Sequence, residues 1–179
     1  MKILITILIV LAILVAIPLI LALFVKKSYS VEREITIEKP QQVVFDYIKF
    51  LKNQNNFSKW ATMDPAMKQE FRGTDGQAGF VSAWESKDKN VGKGEQTIVG
   101  ITEGQRIDYD LHFIKPFEGR ADAYLVTESL GDNQTKVLWG FTSKMAYPMN
   151  IMLLFMNMED MVGKDLSTGL TNLKRILEQ

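Results

Sequence analysis

Hydrophobic and polar positions divide the chain into an unbroken apolar leader and a patterned remainder. Ile3 to Val25 is interrupted only by Thr6 and Pro18. As a helix that run would reach ~35 Å, enough for the ~30 Å hydrocarbon core of a bilayer. Alternation begins at Val31. Val31, Arg33, Ile35 and Ile37 share one side, and Glu32, Glu34 and Thr36 the other, which predicts a half-buried strand. An Arg at an inward position places that strand at a sheet edge. Pro40 suits the first turn of a helix, and Val43, Val44, Tyr47, Ile48 and Leu51 recur at three- and four-residue spacing. A short amphipathic helix is therefore predicted over 41–51. A second short helix or turn is expected to carry Phe57 and Trp60.

Period two returns at Lys68. Six strands are expected from there to Ser143, separated by Gly73–Gly76, Asp88–Gly94, Glu103–Gly104, Pro116–Gly119 and Gly131–Asn133. Phe80, Ser82 and Trp84 share a face, as do Val137, Trp139 and Phe141. The clearest alternation sets Ile107, Tyr109, Leu111 and Phe113 against Asp108, Asp110 and His112. Turn-separated strands of about ten residues make an antiparallel meander. Beyond Pro148, apolar residues at Ile151, Phe155, Met158, Val162, Leu173 and Ile176 predict one helix of ~26 residues and ~40 Å, running to Leu177. Gly169 falls on its apolar stripe and Gly163 beside it. The expected class is α+β: an apolar helix, then a curved antiparallel sheet of about seven strands wrapped around a long C-terminal helix. Such a sheet and helix enclose a cavity.

Composition sharpens the division. The chain has 179 residues, 46% hydrophobic, with 21 basic and 21 acidic side chains and no net charge. Apart from Lys2, every charge lies beyond residue 25, so residues 1–27 read as a transmembrane anchor and 28–179 as one folded domain. A cleaved signal peptide would need small residues at its end, whereas this run closes Leu21-Ala22-Leu23-Phe24-Val25. Lys26, Lys27, Arg33 and Lys39 follow it, against Lys2 before it. The positive-inside bias then makes a single-pass membrane protein with its domain in the cytoplasm. Neutrality argues against nucleic acid as a partner. The lack of Cys excludes disulfides and thiolate chemistry, and a single His, His112, argues against a metal cage or a Ser-His triad.

The ordered set of short motifs resembles the START-like helix-grip superfamily, also called SRPBCC, and within it the bacterial polyketide cyclase/dehydrase-type proteins. The matching pieces are Ile37-Glu38-Lys39-Pro40 with Val43 to Ile48, Asn56-Phe57-Ser58-Lys59-Trp60, Asp64-Pro65, Phe80 with Trp84, Gly92-Lys93-Gly94, and Gly169 to Lys174. They run from about Val31 to Glu178. A second Trp often found soon after the first is absent, since Ala61 to Met63 follow Trp60. The resemblance implies a helix-grip domain with a cavity for a hydrophobic ligand, and no shared catalytic set.

No catalytic group, metal site or cofactor is assigned. His112, Asp108 and Asp110 lie on the face opposite the apolar one, and Glu159 and Asp160 on the wet side of the last helix. Gly73, Gly76 and Gly79 lack the strand-to-helix context of a phosphate loop. Arg33, Arg72, Arg106 and Arg120 could each meet an anionic ligand group, with nothing to choose among them. The candidate cavity lining is Phe80, Trp84, Tyr109, Leu111, Phe113, Trp139, Phe141, Met152, Phe155 and Gly169. Six of the nine Met residues lie between Met145 and Met161, suited to an adaptable apolar pocket or to contact with the bilayer. The expected function is membrane-anchored binding of a hydrophobic small molecule or lipid. The alternatives are a cyclase or dehydratase on an apolar substrate, and a protein-interaction or co-chaperone-like module.

Overall fold

The structure is a computed structural model and describes residues 2–179. An apolar helix, α1 (Lys2–Phe24), leads into β1 (Ser28–Ile37). Next come α2 (Gln41–Ile48), a 3-10 turn (Leu51–Asn53), and two short helices, α3 (Gln54–Phe57) and α4 (Lys59–Met63). Six strands follow: β2 (Lys68–Arg72), β3 (Val81–Glu85), β4 (Lys93–Thr102), β5 (Arg106–Lys115), β6 (Gly119–Gly131) and β7 (Gln134–Lys144). A 3-10 segment (Met149–Leu154) and the long helix α5 (Met158–Leu177) end the chain.

The seven strands form one antiparallel sheet in the order β1-β7-β6-β5-β4-β3-β2. β1 is an edge, as Arg33 implied, and begins three residues earlier than the alternation did, at Ser28. Register fixes two ends. Ser28 pairs with Lys144, Ala121 with Ser143, Phe113 with Gly119, and Lys93 with both Lys115 and Glu85. The start of β1, the β3–β4 and β5–β6 loops, and the exit of β7 therefore meet at the end where α1 is attached.

Helix α5 lies on the inner face and buries Gly163, Leu166, Gly169, Leu170 and Leu173. It is 20 residues long, shorter than the periodicity of 148–177 suggested. Asn157 leaves helical geometry, and its side chain accepts a hydrogen bond from the Asp160 amide at 3.0 Å. That N-cap, followed by Glu159 and Asp160 in the first turn, starts a new helix favoured by the macrodipole. Gly163 is a second correction: it is buried, and a Cβ there would lie 2.1 Å from the Arg33 guanidinium. A helix seated in a sheet buries a wider arc than a single stripe, and the inward Arg33 of β1 takes the space beside Gly163.

Helix α1 has little packing of its own; Ala22 is its one buried side chain. Its end is nevertheless held. The fully buried Asn150 donates from Nδ2 to the carbonyls of Ala22 at 2.7 Å and Val25 at 3.0 Å. These are C-terminal carbonyls that a helix leaves without internal partners. Lys26 pairs with Glu159 at 3.3 Å, and the Met145 amide donates to the Lys27 carbonyl.

Candidate ligand cavity

The inner face is filled at one end and hollow at the other. At the end away from α1, Ile37, Val44, Phe45, Ile98, Ile107, Leu125 and Leu173 are fully buried against one another. Toward the α1 end the inward residues of β6 are only Ala123 and Ala121, and β4 offers Gly94. With little volume there, a cavity of about 350 Å³ remains between the sheet, α3, α4 and the first half of α5. That falls in the ~300–1,000 Å³ range of small-molecule sites.

Aromatic rings make its walls. Trp84 stands edge-on to Phe113, with centroids 6.1 Å apart, and donates its indole N–H to the Val91 carbonyl at 3.1 Å. It can lie across the sheet because Gly94 is opposite: a Cβ at Gly94 would be 2.5 Å from the ring. Trp139 packs edge-on to Phe57 at 5.6 Å, and Phe141 tilts against Tyr29 at 6.2 Å. Helix α5 contributes Val162 and Leu166.

The polar part of the lining is uncharged except at the rim. It comprises Gln54, Asn55, Ser58, Gln69, Ser82, Gln96, Asn90 and Ser143, with Lys115 beside the exposed Phe117. Asn55 and Gln69 satisfy each other through paired amide bonds of 3.0 and 2.9 Å. No Asp, Glu or His is among the lining residues. Lys59 and Asp165 form an ion pair that fastens α4 to α5 outside the wall. Burial raises the Tyr29 hydroxyl pKa, opposed by a bond from Ser143. At the floor, the Tyr109 hydroxyl and the Gln54 side-chain nitrogen are buried, neither with a hydrogen bond of ordinary geometry. Burial drives the Tyr109 pKa upward, and the neighbouring Gln54 amide acts in the opposite sense.

The structure separates the ten sequence candidates into three groups. Trp84, Leu111, Phe113, Trp139 and Phe141 line the cavity together. Phe80, Tyr109 and Gly169 are packed into the adjoining core. Phe80 stacks on Phe71 at 6.1 Å, Tyr109 is 1% exposed, and a Cβ at Gly169 would lie 2.6 Å from the Trp139 ring. Met152 and Phe155 are corrections: the helix break at Asn157 moves them off the inner face to the end of α1, where Phe155 is 82% exposed. Sequence reasoning missed Tyr29, Leu51, Gln54 and Ser58. Gln96 was the legible signal, a polar side chain between Gly94 and Ile98 on an inward-facing register.

The outer face holds the charged candidates in ordinary pairs. Asp108 accepts from Arg106 at 2.8 Å, Asp110 from Arg120 at 2.9 Å, and His112 lies 3.5 Å from Glu118. Among the described residues no cluster of three or more His, Asp or Glu could hold a metal ion.

A family model described as polyketide cyclase / dehydrase and lipid transport matches residues 28–178. The chain belongs to that family. Norcoclaurine synthase from Thalictrum flavum, in complex with dopamine and hydroxybenzaldehyde, shares its fold at a TM-score of 0.64 and 7% identity, over 84% of this chain and 86% of that one. The protein TTHA0849 from Thermus thermophilus superposes at 0.60 with 18% identity, over 83% and 97%. Protein CV1439 from Chromobacterium violaceum does so at 0.57 with 11% identity, over 84% and 97%. These likenesses establish the START-like helix-grip fold of this polyketide cyclase / dehydrase and lipid transport family member. A search of curated protein sequences found no match.

Proposed function

We propose that this chain is a bilayer-tethered binding protein for an apolar small molecule or lipid, with residues 1–27 as the tether and 28–179 as the binding domain. One observation carries the reading. A cavity of about 350 Å³ is walled by Trp84, Phe113, Trp139 and Phe141 and holds no carboxylate or imidazole. Burial of apolar surface there would stabilise a ligand by ~25 cal/mol per Å² with no charge partner. The neutral amides and hydroxyls would orient a ligand carrying a few hydroxyl or carbonyl groups. The ionisable groups among the lining residues are Lys115 at the rim and the Tyr29 hydroxyl, whose pKa burial raises, so the wall offers no carboxylate or imidazole as a general base near neutral pH.

Retention of α1 is supported by Asn150. Removing the helix would strip both acceptors from the Asn150 amide, each hydrogen bond contributing about 0.5–1.5 kcal/mol net. Lys26 and Lys27 at its end favour a cytoplasmic domain. Protease added to sealed inverted vesicles should then digest the domain; protection would reverse the orientation.

The deciding experiment is mass spectrometry of small molecules retained by the full-length chain in lipid nanodiscs. A defined apolar species should be enriched over an Ala123→Trp variant with a filled cavity. Equal content in both would remove the binding reading. A chemically altered product after incubation would favour the cyclase or dehydratase alternative.

A further inference from the structure

The cavity opens at the end of the sheet that carries α1. Its exposed lining residues are Asn90, Lys115, Pro116 and Phe117 in the β3–β4 and β5–β6 loops and Gln69 near the start of β2, and strand register puts all three places level with the start of β1. Phe117 is 75% exposed at the tip of its loop. Phe155 is 82% and Leu154 57% exposed, in the segment whose Asn150 grips the last turn of α1, and Phe24 of α1 is 84% exposed. These apolar side chains all lie at the α1 end, where an apolar surface marks a contact. Lys26, Lys27, Lys68, Lys87, Lys89, Lys115 and Lys144 are exposed around them and outnumber the exposed Glu85, Glu118 and Glu159 at that end, Glu159 being paired with Lys26, while the opposite end exposes Glu38, Glu103 and Asp132.

We propose that this end sits on an anionic bilayer surface, so that the mouth of the cavity faces the headgroups and the ligand enters from the lipid. The inference rests on the reading of α1 as a membrane tether. The geometry of attachment supplies the constraint. The carbonyl of Lys27 is hydrogen-bonded to Met145, and β1 starts at the next residue, so no flexible linker separates helix from sheet. A helix crossing the bilayer would hold the Phe117 and Phe155 rings at the interface, where aromatic side chains are favoured. The lysines would lie within the ~8 Å over which an anionic surface attracts them at physiological salt.

The chain contains no cysteine, so single labels can be placed freely. Four variants of the full-length chain, Leu11→Cys, Glu118→Cys, Leu154→Cys and Asp132→Cys, would carry an environment-sensitive nitrobenzoxadiazole label. They would be reconstituted in phosphatidylcholine vesicles with or without phosphatidylglycerol, containing doxyl-labelled lipid as quencher. The label at 11 should be quenched by deep doxyl groups. Those at 118 and 154 should be quenched by shallow ones, several-fold more than at 132, and more strongly with phosphatidylglycerol. Lys87→Glu with Lys89→Glu should weaken quenching at 118. An unquenched label at 11 overturns the tether itself. Quenching at 11 with 118 no different from 132 leaves the tether standing and overturns this inference, even if 154 is quenched. Self-quenching between labels at 118, without doxyl quenching, would overturn it in favour of a second copy of the chain.

Discussion

The two halves of strand β5 face the same way and meet different interiors. Ile107 and Tyr109 are 0% and 1% exposed, locked among Ile98, Leu125 and Leu170, whereas Leu111 and Phe113, on the same face, look into the cavity. The neighbouring strand explains the change: opposite Ile107 stands Leu125, whereas opposite Leu111 and Phe113 stand only Ala121 and Gly119, with Ala123 opposite Tyr109 at the boundary. The hollow is created by small partners while the aromatic walls stay large. Stability and binding can therefore be assigned to different ends of the same strands, and substitutions can test that division.

The largest effect is expected at the packed end. Leu125→Ala should cost about 2–5 kcal/mol, the usual range for a fully buried leucine whose site collapses poorly. Leu111→Ala, already bordering a void, should cost about 1 kcal/mol, mostly transfer free energy. Chemical unfolding of the reconstituted full-length protein, followed by Trp fluorescence, compares them. Equal losses would erase the distinction between the ends.

Helix α5 tests the same boundary from above. Gly169→Leu must displace the Trp139 ring and should cost about 1–3 kcal/mol. Gly163→Ala meets the Arg33 guanidinium, the far end of a flexible side chain, and gains about 1 kcal/mol of helix propensity in return. Its net effect should stay below about 1 kcal/mol. A larger loss at 163 would mean that Arg33 cannot move aside.

Strand and turn positions were legible because period two and Gly-rich turns survive in a meander. The order of elements and half of the candidate lining followed from that alternation. The break between Leu154 and Met158 was harder to see, since apolar spacing runs through it without Gly or Pro. Only Asn157 followed by Glu159 and Asp160 marks the new helix, a capping signal and not a periodic one. Phe155 was placed in the cavity for that reason. The hollow itself could not be read from β5 alone. It needed the register that sets Ala121 and Ala123 beside Leu111 and Tyr109.

Filling the hollow should separate the two properties. Ala123→Leu adds apolar volume where space exists, so stability should stay level or rise by up to about 1 kcal/mol. Retention of the apolar ligand should fall about tenfold or more, equivalent to at least about 1.4 kcal/mol. Asp108→Asn, paired with Arg106 on the outer face, should change neither. A fall in stability at Ala123→Leu without loss of ligand would place the binding site elsewhere.

The smallest effects are electrostatic, one carboxylate at each end. Glu178 accepts the Glu38 amide at 2.6 Å and, secondarily, pairs with Lys174, which together hold its pKa below the usual carboxylate value. Asp64 is lowered by the Ser86 hydroxyl and then by the Ala66 amide. A depressed folded pKa contributes stability that is present above the unfolded value, about 4 for such groups, and is lost as pH falls through the lower folded one. Both contributions should therefore be intact at neutral pH and disappear in acid below about pH 4. Glu178→Gln and Asp64→Asn should each flatten the acid limb of stability slightly. Their local consequences should differ. Glu178 closes the packed end, tying the last turn of α5 to the exit of β1, so its loss should speed amide exchange at residues 36–39. Asp64 holds Ser86 at the start of the β3–β4 loop, whose Asn90 and Val91 line the mouth. Its loss should speed exchange at residues 86–92 and ligand release, leaving residues 36–39 unchanged. Hydrogen exchange read by mass spectrometry distinguishes the two, and exchange spreading from 86–92 into β5 near Ile107 would show that the hollow end and the packed end unfold as one unit.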